Sequence, residues 1–296
     1  MKVLLTGGTG FVGPKVAYAL RAREHDVRVL VRSPQRAKKL QTWGCELAEG
    51  DVTDEDSLGR AAEGCEAVVH LVAIIKGSRQ DYDRVMVGGT ESLLAAAKKA
   101  GVRRFVLMSA LGASEQNREL VPYFGAKWAM EQAVSGAGLE HVVFRPSFVF
   151  GKDGGVLPTF LRQVKLSPVT PVLGDGTIRL QPIWVEDVAS FFAQAVEAGD
   201  AAGRTFEIGG PDAVTWNELY DRLKSILGVR RGTVHVPFGL VRPVALLVER
   251  LPGAPVTRDQ LTMLAEGGDN VCDNGPALET FDVDLVPLDE QVRRAA

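Results

Sequence analysis

A tyrosine and a lysine four residues apart, in Tyr123-Phe124-Gly125-Ala126-Lys127, form the pair in this chain best suited to moving a proton. On a helix that spacing puts both side chains on one face, so the Lys127 ammonium can stand beside the Tyr123 phenol. A cation about 4 Å from a phenol, at an effective dielectric near 20, favours phenolate by roughly 4 kcal/mol. That lowers a pKa ordinarily near 10, with desolvation opposing the shift. Such a pair can exchange a proton with a substrate carbonyl or hydroxyl. The same spacing recurs at Tyr220-Asp221-Arg222-Leu223-Lys224, in a C-terminal stretch that reads as surface helix. The first copy is preferred because it follows a strand pattern over Arg104–Ser109 and lies in a helical pattern over Leu120–Ala137.

A second feature, Thr6-Gly7-Gly8-Thr9-Gly10-Phe11-Val12-Gly13, separates an apolar run from a helical pattern. Three glycines at this spacing have separate tasks. Gly7 permits the tight turn, Gly10 lets backbone approach a pyrophosphate, and Gly13 lets helix and strand pack closely. The free N–H groups and the positive helix end then face the anion. Gly7, Thr9, Gly10, Phe11, Val12 and Gly13 are thus candidate contacts to a dinucleotide. An NAD site usually carries a carboxylate at the end of the second strand. Here Val31 takes that place, and Arg32, Ser33 and Arg36 follow. A guanidinium without a carboxylate suits a 2′-phosphate. NADP(H) is the preferred cofactor and NAD(H) the alternative, in which Arg32 is only a solvated end-of-strand residue.

The elements that must position these groups alternate along the first two-thirds of the chain. Short apolar runs at Lys2–Thr6, Val27–Val31, Glu46–Glu49, Ala67–Val72, Arg104–Ser109 and His141–Phe144 read as strands covered on both faces. Helical stretches near Gly13–Arg23, Ser33–Trp43, Asp54–Glu63, Asp81–Ala100 and Leu120–Ala137 lie between them, with Ser33-Pro34 as an N-cap and N1 proline. The fold class is α/β, a Rossmann-type doubly wound parallel sheet with a smaller, mostly helical C-terminal lobe. Residues 1–150 form the dinucleotide-binding domain, which also receives about 177–210 (a helix at Val185–Ala198 and a strand at Thr205–Ile208). Residues 151–176 and 211–296 form the smaller lobe. His70 reads as a core histidine, Glu186-Asp187 as a helix start, and Asp153 and Asp175 as turn residues.

Together these motifs resemble the short-chain dehydrogenase/reductase superfamily in its extended form. Gly50-Asp51-Val52 is similar to the motif after strand three, and His70-Leu71-Val72-Ala73 to the strand-four motif under the cofactor. Phe144-Arg145-Pro146, Ile183–Ala189 and Ile208-Gly209-Gly210-Pro211 are similar to later signatures. The resemblance implies cofactor contacts at Asp51, Val52, Leu71, Val72, Ala73, Met108, Pro146 and Ser147. It also implies that Tyr123 is the acid/base and that Lys127 holds the nicotinamide ribose. Two family residues are replaced. The usual catalytic hydroxyl falls on Ala110, leaving Ser109 or Ser114 as substitutes, and a common asparagine falls on Met86. Losing one donor to a substrate oxygen costs on the order of 10²–10³ in rate. The pattern is most similar to the atypical branch, which includes the nucleotide-binding accessory subunit of respiratory complex I and its bacterial relatives. Two functions follow: an oxidoreductase or epimerase/dehydratase acting on an unidentified small molecule, and a non-catalytic NADP(H)-binding accessory subunit or redox sensor.

Composition narrows the partners. Lysine and arginine number 34 against 37 aspartates and glutamates, a net charge of −3, which gives no footprint for nucleic acid. The three cysteines and four histidines show no metal-ligand spacing, so no metal is expected. No apolar stretch reaches the roughly 18 residues of a membrane span, and no signal peptide is recognisable. The expected setting is the cytoplasm, with peripheral association at the inner membrane face as the alternative. The apolar Phe238–Leu251 stretch reads as a core or interface helix. Phe148, Phe160, Trp184 and Phe238 are candidates to line a pocket for a quinone or lipid. An apolar face on Asp81–Ala100 allows a homodimer.

Overall fold

The computed structural model describes residues 1–239 and 258–296. Seven parallel strands form the main sheet: β1 (Lys2–Thr6), β2 (Asp26–Val31), β3 (Glu46–Glu49), β4 (Ala67–His70), β5 (Arg104–Met108), β6 (Glu140–Pro146) and β7 (Arg204–Ile208). Their spatial order is β7-β6-β5-β4-β1-β2-β3, the doubly wound arrangement. The chain reverses direction across the sheet between β1 and β4, and at such a switch point a crevice opens beyond the strand ends. Thr6 is in register with Leu30 on one side and His70 on the other, so three strands end together there.

Helices α1 (Gly13–Ala22), α2 (Lys38–Thr42), α3 (Glu55–Ala62), α4 (Gly89–Lys99), α5 (Pro122–Ser135), α6 (Leu157–Leu166), α7 (Val185–Ala195) and α8 (Trp216–Ile226) supply the covering layers. One core packs α1 and α7 on β1, β2 and β6, around Val16, Leu20 and Phe144. The other packs α3, α4 and α5 on the opposite face, around Leu58, Leu93, Phe105 and Met130. Strands buried on both faces explain the near-continuous apolar runs. A third cluster joins α6 and α8 through Phe150, Leu161, Trp184, Trp216 and Leu219. Small two-stranded sheets edge it, including Thr170–Leu173 beside Thr233–Val236.

Several boundaries differ from the sequence expectations. The helix expected over Asp81–Ala100 begins with a turn at Arg79–Asp81 and a π-helix over Tyr82–Gly88, and becomes α only at Gly89. There a Cβ on Gly89 would stand 3.0 Å from Val52, so the chain approaches that residue closely. Ser33–Trp43 splits into a 3₁₀ turn over Pro34–Ala37 and the short α2. The Ser33 hydroxyl does not cap it and instead donates to Gln35 Oε1. Strand β4 ends at His70, and α7 ends at Ala195. The Phe238–Leu251 expectation lies almost entirely outside the described residues. Among the described residues no helix is long and apolar enough to cross a membrane.

Candidate functional site

Three groups of candidate residues come from the sheet ends and α5. In the glycine loop each glycine has its own physical reason. Gly7 holds φ +77°, which favours glycine, and a Cβ there would stand 3.0 Å from the Leu71 backbone. Gly8 sits against Val29, and Gly13 against Gly7 and Gly8, with no room for a side chain at either position. Gly10 is different. It is exposed, its N–H donates to Gly7 O at 3.0 Å, and a Cβ would meet only that oxygen within 4 Å. Protein packing crowds that position less than Gly7, Gly8 or Gly13, and a glycine there leaves the backbone open to close approach of an anion. Val12 is buried at the N-cap of α1, with Pro14 in the first turn. Thr9 is exposed beside Gly10. The loop thus fits a dinucleotide pyrophosphate.

At the other end of this crevice Arg32 follows β2 with its side chain 85% exposed, and its Nε lies 4.0 Å from Asp51 Oδ2. Arg36 lies in the 3₁₀ turn beside it. Burial opposes ionisation of Asp51, but bonds from the Thr53 N–H and hydroxyl, with Arg32 and Arg84 nearby, hold its carboxyl below the usual range. Val52 is buried, while Leu71, Val72 and Ala73 carry the chain out of β4 with rising exposure.

Tyr123 and Lys127 share the face of α5 that spacing requires. The Lys127 side chain is fully enclosed, its Nζ donates to Met108 O at 2.6 Å, and it stands 5.8 Å from the Tyr123 ring centroid. Burial lowers the Lys127 pKa to about 7, with Glu131 opposing the shift. The expected phenolate is not favoured. Burial, followed by the neighbouring Tyr82, pushes the Tyr123 phenol up rather than down, so it is protonated at neutral pH. The half-buried Tyr123 ring meets Tyr82 edge-on at 6.5 Å, and the Tyr82 hydroxyl donates to Ile75 O.

The remaining candidates are placed less simply. Ser109 is buried, and its hydroxyl has no partner among the described residues. Ser114 accepts from the Asn117 N–H. Pro146 ends β6 in register with Ile208, and the Ser147 hydroxyl donates to Asn270 Oδ1 at 2.6 Å. Ser147 is therefore tied to a C-terminal segment that spacing could not have indicated. His70 is a satisfied core residue as expected. Thr90 spends its proton on Met86 O, so His70 Nε2 donates to Thr90 and Nδ1 accepts from Thr6. Burial lowers its pKa to about 3, which keeps the ring neutral.

Sequence reasoning missed Glu131 and Arg145. Glu131 continues the row 123, 127, 131 on α5 and accepts two bonds from Arg145, at 2.9 and 2.6 Å. The row was readable from spacing, but Arg145 reaches it only through the fold. The second tyrosine–lysine pair also differs from its surface reading. Tyr220 is buried in the third cluster and its hydroxyl donates to Gln163. Phe148 and Phe160 stack edge-on against Trp216, a packing role, and Trp184 is buried beside them.

Known proteins similar to this chain include both a subunit of a respiratory complex and reductases. The chain is 29% identical to NADH dehydrogenase [ubiquinone] 1 alpha subcomplex subunit 9 of Arabidopsis thaliana, over 95% of this chain and 73% of that protein. It is also 29% identical to the 4-hydroxy-2-methyl-3-oxo-4-farnesyl-3,4-dihydroquinoline-1-oxide ketoreductase of Stigmatella aurantiaca, over 85% of this chain and 80% of that one. In fold it superposes on an NADPH-dependent quinone oxidoreductase of Escherichia coli with a TM-score of 0.80 at 20% identity, covering 98% of each chain. The model of the NAD dependent epimerase/dehydratase family matches residues 3–209, the whole span that builds the sheet, and the chain belongs to that family.

Proposed function

We propose that this protein is an NADP(H)-dependent reductase of a carbonyl substrate, with Tyr123 as the proton donor. The observation that carries this reading is the enclosed Lys127 on the same helix face as the Tyr123 phenol, with its ammonium 5.8 Å from the ring centroid. A protonated phenol is the correct form for an acid that delivers its proton to a carbonyl oxygen. The reduced nicotinamide, when bound, supplies the hydride. Lys127 holds the ribose and neutralises charge on the tyrosine as its proton leaves. Arg32, with Ser33 and Arg36, receives the 2′-phosphate, and Asp51 faces the adenine end. The cluster around Trp216 serves as the substrate lobe, and the ketoreductase relative supports a ketone as substrate.

A second reading is a non-catalytic NADP(H)-binding subunit attached peripherally to a membrane complex. Ala110 at the usual hydroxyl position and the unpartnered Ser109 favour it, as does the complex I relative. The test is calorimetric titration of NADPH against NADH, followed by turnover on a panel of ketones. The proposal expects tighter NADPH binding that weakens in Arg32→Ala, and turnover that Tyr123→Phe abolishes without loss of binding. Tight NADPH binding with no turnover on any ketone selects the second reading. Preference for NADH, unchanged in Arg32→Ala, would remove the 2′-phosphate assignment.

A further inference from the structure

The side chain in the middle of the phosphate loop is received by another part of the chain. The Phe11 ring lies on residues 151–155, the turn that follows the short strand Val149–Phe150. Three glycines of that turn press on it. A Cβ at Gly151 would stand 2.8 Å from ring atoms Cε2 and Cζ, and one at Gly155 2.9 Å from Cε1. At Gly154 the clash with Cδ2 is closer still, and the three nearest atoms all belong to Phe11. Gly155 has a second reason to be glycine, its φ of +70°, but Gly151 and Gly154 do not have positive φ. Lys152 and Asp153, between them, are exposed. The turn is closed by a bridge from Phe150 to Gly155, and Val149–Phe150 pairs with Ile183–Trp184. Phe150 and Trp184 are buried in the third cluster, so the Phe11 contact joins the phosphate loop to the base of that cluster.

We propose that Phe11 is a positioning residue. Its ring keys the phosphate loop into the glycine turn 151–155, and cofactor binding is thereby coupled to the order of that turn. The inference rests on the dinucleotide reading of the loop. Backbone donors bind an anion well when they are fixed beforehand, and a ring seated on a glycine bed removes freedom from the loop before the ligand arrives. Coupling is reciprocal, so a ligand that orders the loop must also order the turn.

Phe11→Leu and Gly154→Ala should each weaken NADPH binding about tenfold in calorimetry, since both spoil the same seat. Asp153→Ala, in the same turn, should leave it unchanged. In a Phe11→Ala background the added methyl of Gly154→Ala enters vacated space, so the double variant should bind no worse than Phe11→Ala alone. Hydrogen exchange supplies a readout that packing alone would not move. NADPH should protect amides 149–155 in wild type and lose that effect in Phe11→Ala, with circular dichroism confirming an intact fold. Wild-type affinity in both Phe11→Leu and Gly154→Ala overturns the coupling, as does protection that persists in Phe11→Ala. A loss of thermal stability that is equal with and without NADPH also overturns it. Wild type that binds neither NADPH nor NADH sinks the dinucleotide reading and this inference together.

Discussion

Two helices of this protein carry the same tyrosine–lysine spacing, and their surroundings make them different objects. On α5, Lys127 is enclosed and its ammonium donates to the Met108 carbonyl, with no carboxylate in salt-bridge reach among the described residues, so its charge is costly and its pKa falls to about 7. On α8, Lys224 donates to Asp221 at 2.8 Å and to the Thr233 hydroxyl at 2.9 Å, which satisfies its charge locally. Tyr123 is half-buried with its ring edge-on to Tyr82, whereas Tyr220 is bound to Gln163 inside an aromatic cluster with Phe160 and Trp216. Identical spacing fixes only a shared helix face. Chemistry needs one partner left incompletely satisfied at the edge of a crevice.

The largest expected difference between the pairs is in pH dependence. In the unfolded chain Lys127 takes its proton below about 10.5, and in the native protein only below about 7. The Lys127 contribution to native stability therefore falls as pH drops through that window and is constant below it. The full effect approaches about 5 kcal/mol. Lys127→Met should take that contribution out of the pH dependence of urea unfolding from about pH 7 to about pH 10, and Lys224→Met should not. A pH dependence in Lys127→Met unchanged from wild type would show that the native lysine keeps an ordinary affinity for its proton.

Next in size is the supporting carboxylate. Glu131 is buried, and Glu131→Ala would take both short bonds from the Arg145 guanidinium and leave it the more exposed Glu207 carboxylate at 3.6 Å, a loss of about 3 kcal/mol in denaturant unfolding. Asp221, the matching acid beside Lys224, is 71% exposed, and Asp221→Ala should cost under about 1 kcal/mol. Equal losses at the two positions would erase the distinction between a supported pair and a solvated one. Smaller than the Glu131 effect is the one at Tyr220. Tyr220→Phe leaves Gln163 Oε1 without this donor and should cost about 1–2 kcal/mol of stability, with ketone turnover unaffected. Loss of turnover in Tyr220→Phe would move the chemistry to the wrong helix.

Much of the fold was legible because strands covered on both faces must be apolar at nearly every position, and a glycine loop has a fixed place between β1 and α1. Legibility stopped at the π-helix over Tyr82–Gly88, since its apolar residues fit an α-helical period equally well. It stopped again at Ser147 and Asn270, which are 123 residues apart and meet only where the C-terminal segment crosses the ends of β6 and β7.

The sequence by itself determined the sheet, the phosphate loop, the place of Arg32 after β2 and the shared face of Tyr123 and Lys127. All of these follow from local periodicity and from spacing along a single element. The tertiary structure decided the protonation of that pair, because burial is the sum of what distant strands and helices leave around a side chain. It also decided that Phe11 lies on Gly151, Gly154 and Gly155. The three glycines acquire a common purpose only when a ring from the loop after β1 is laid across them.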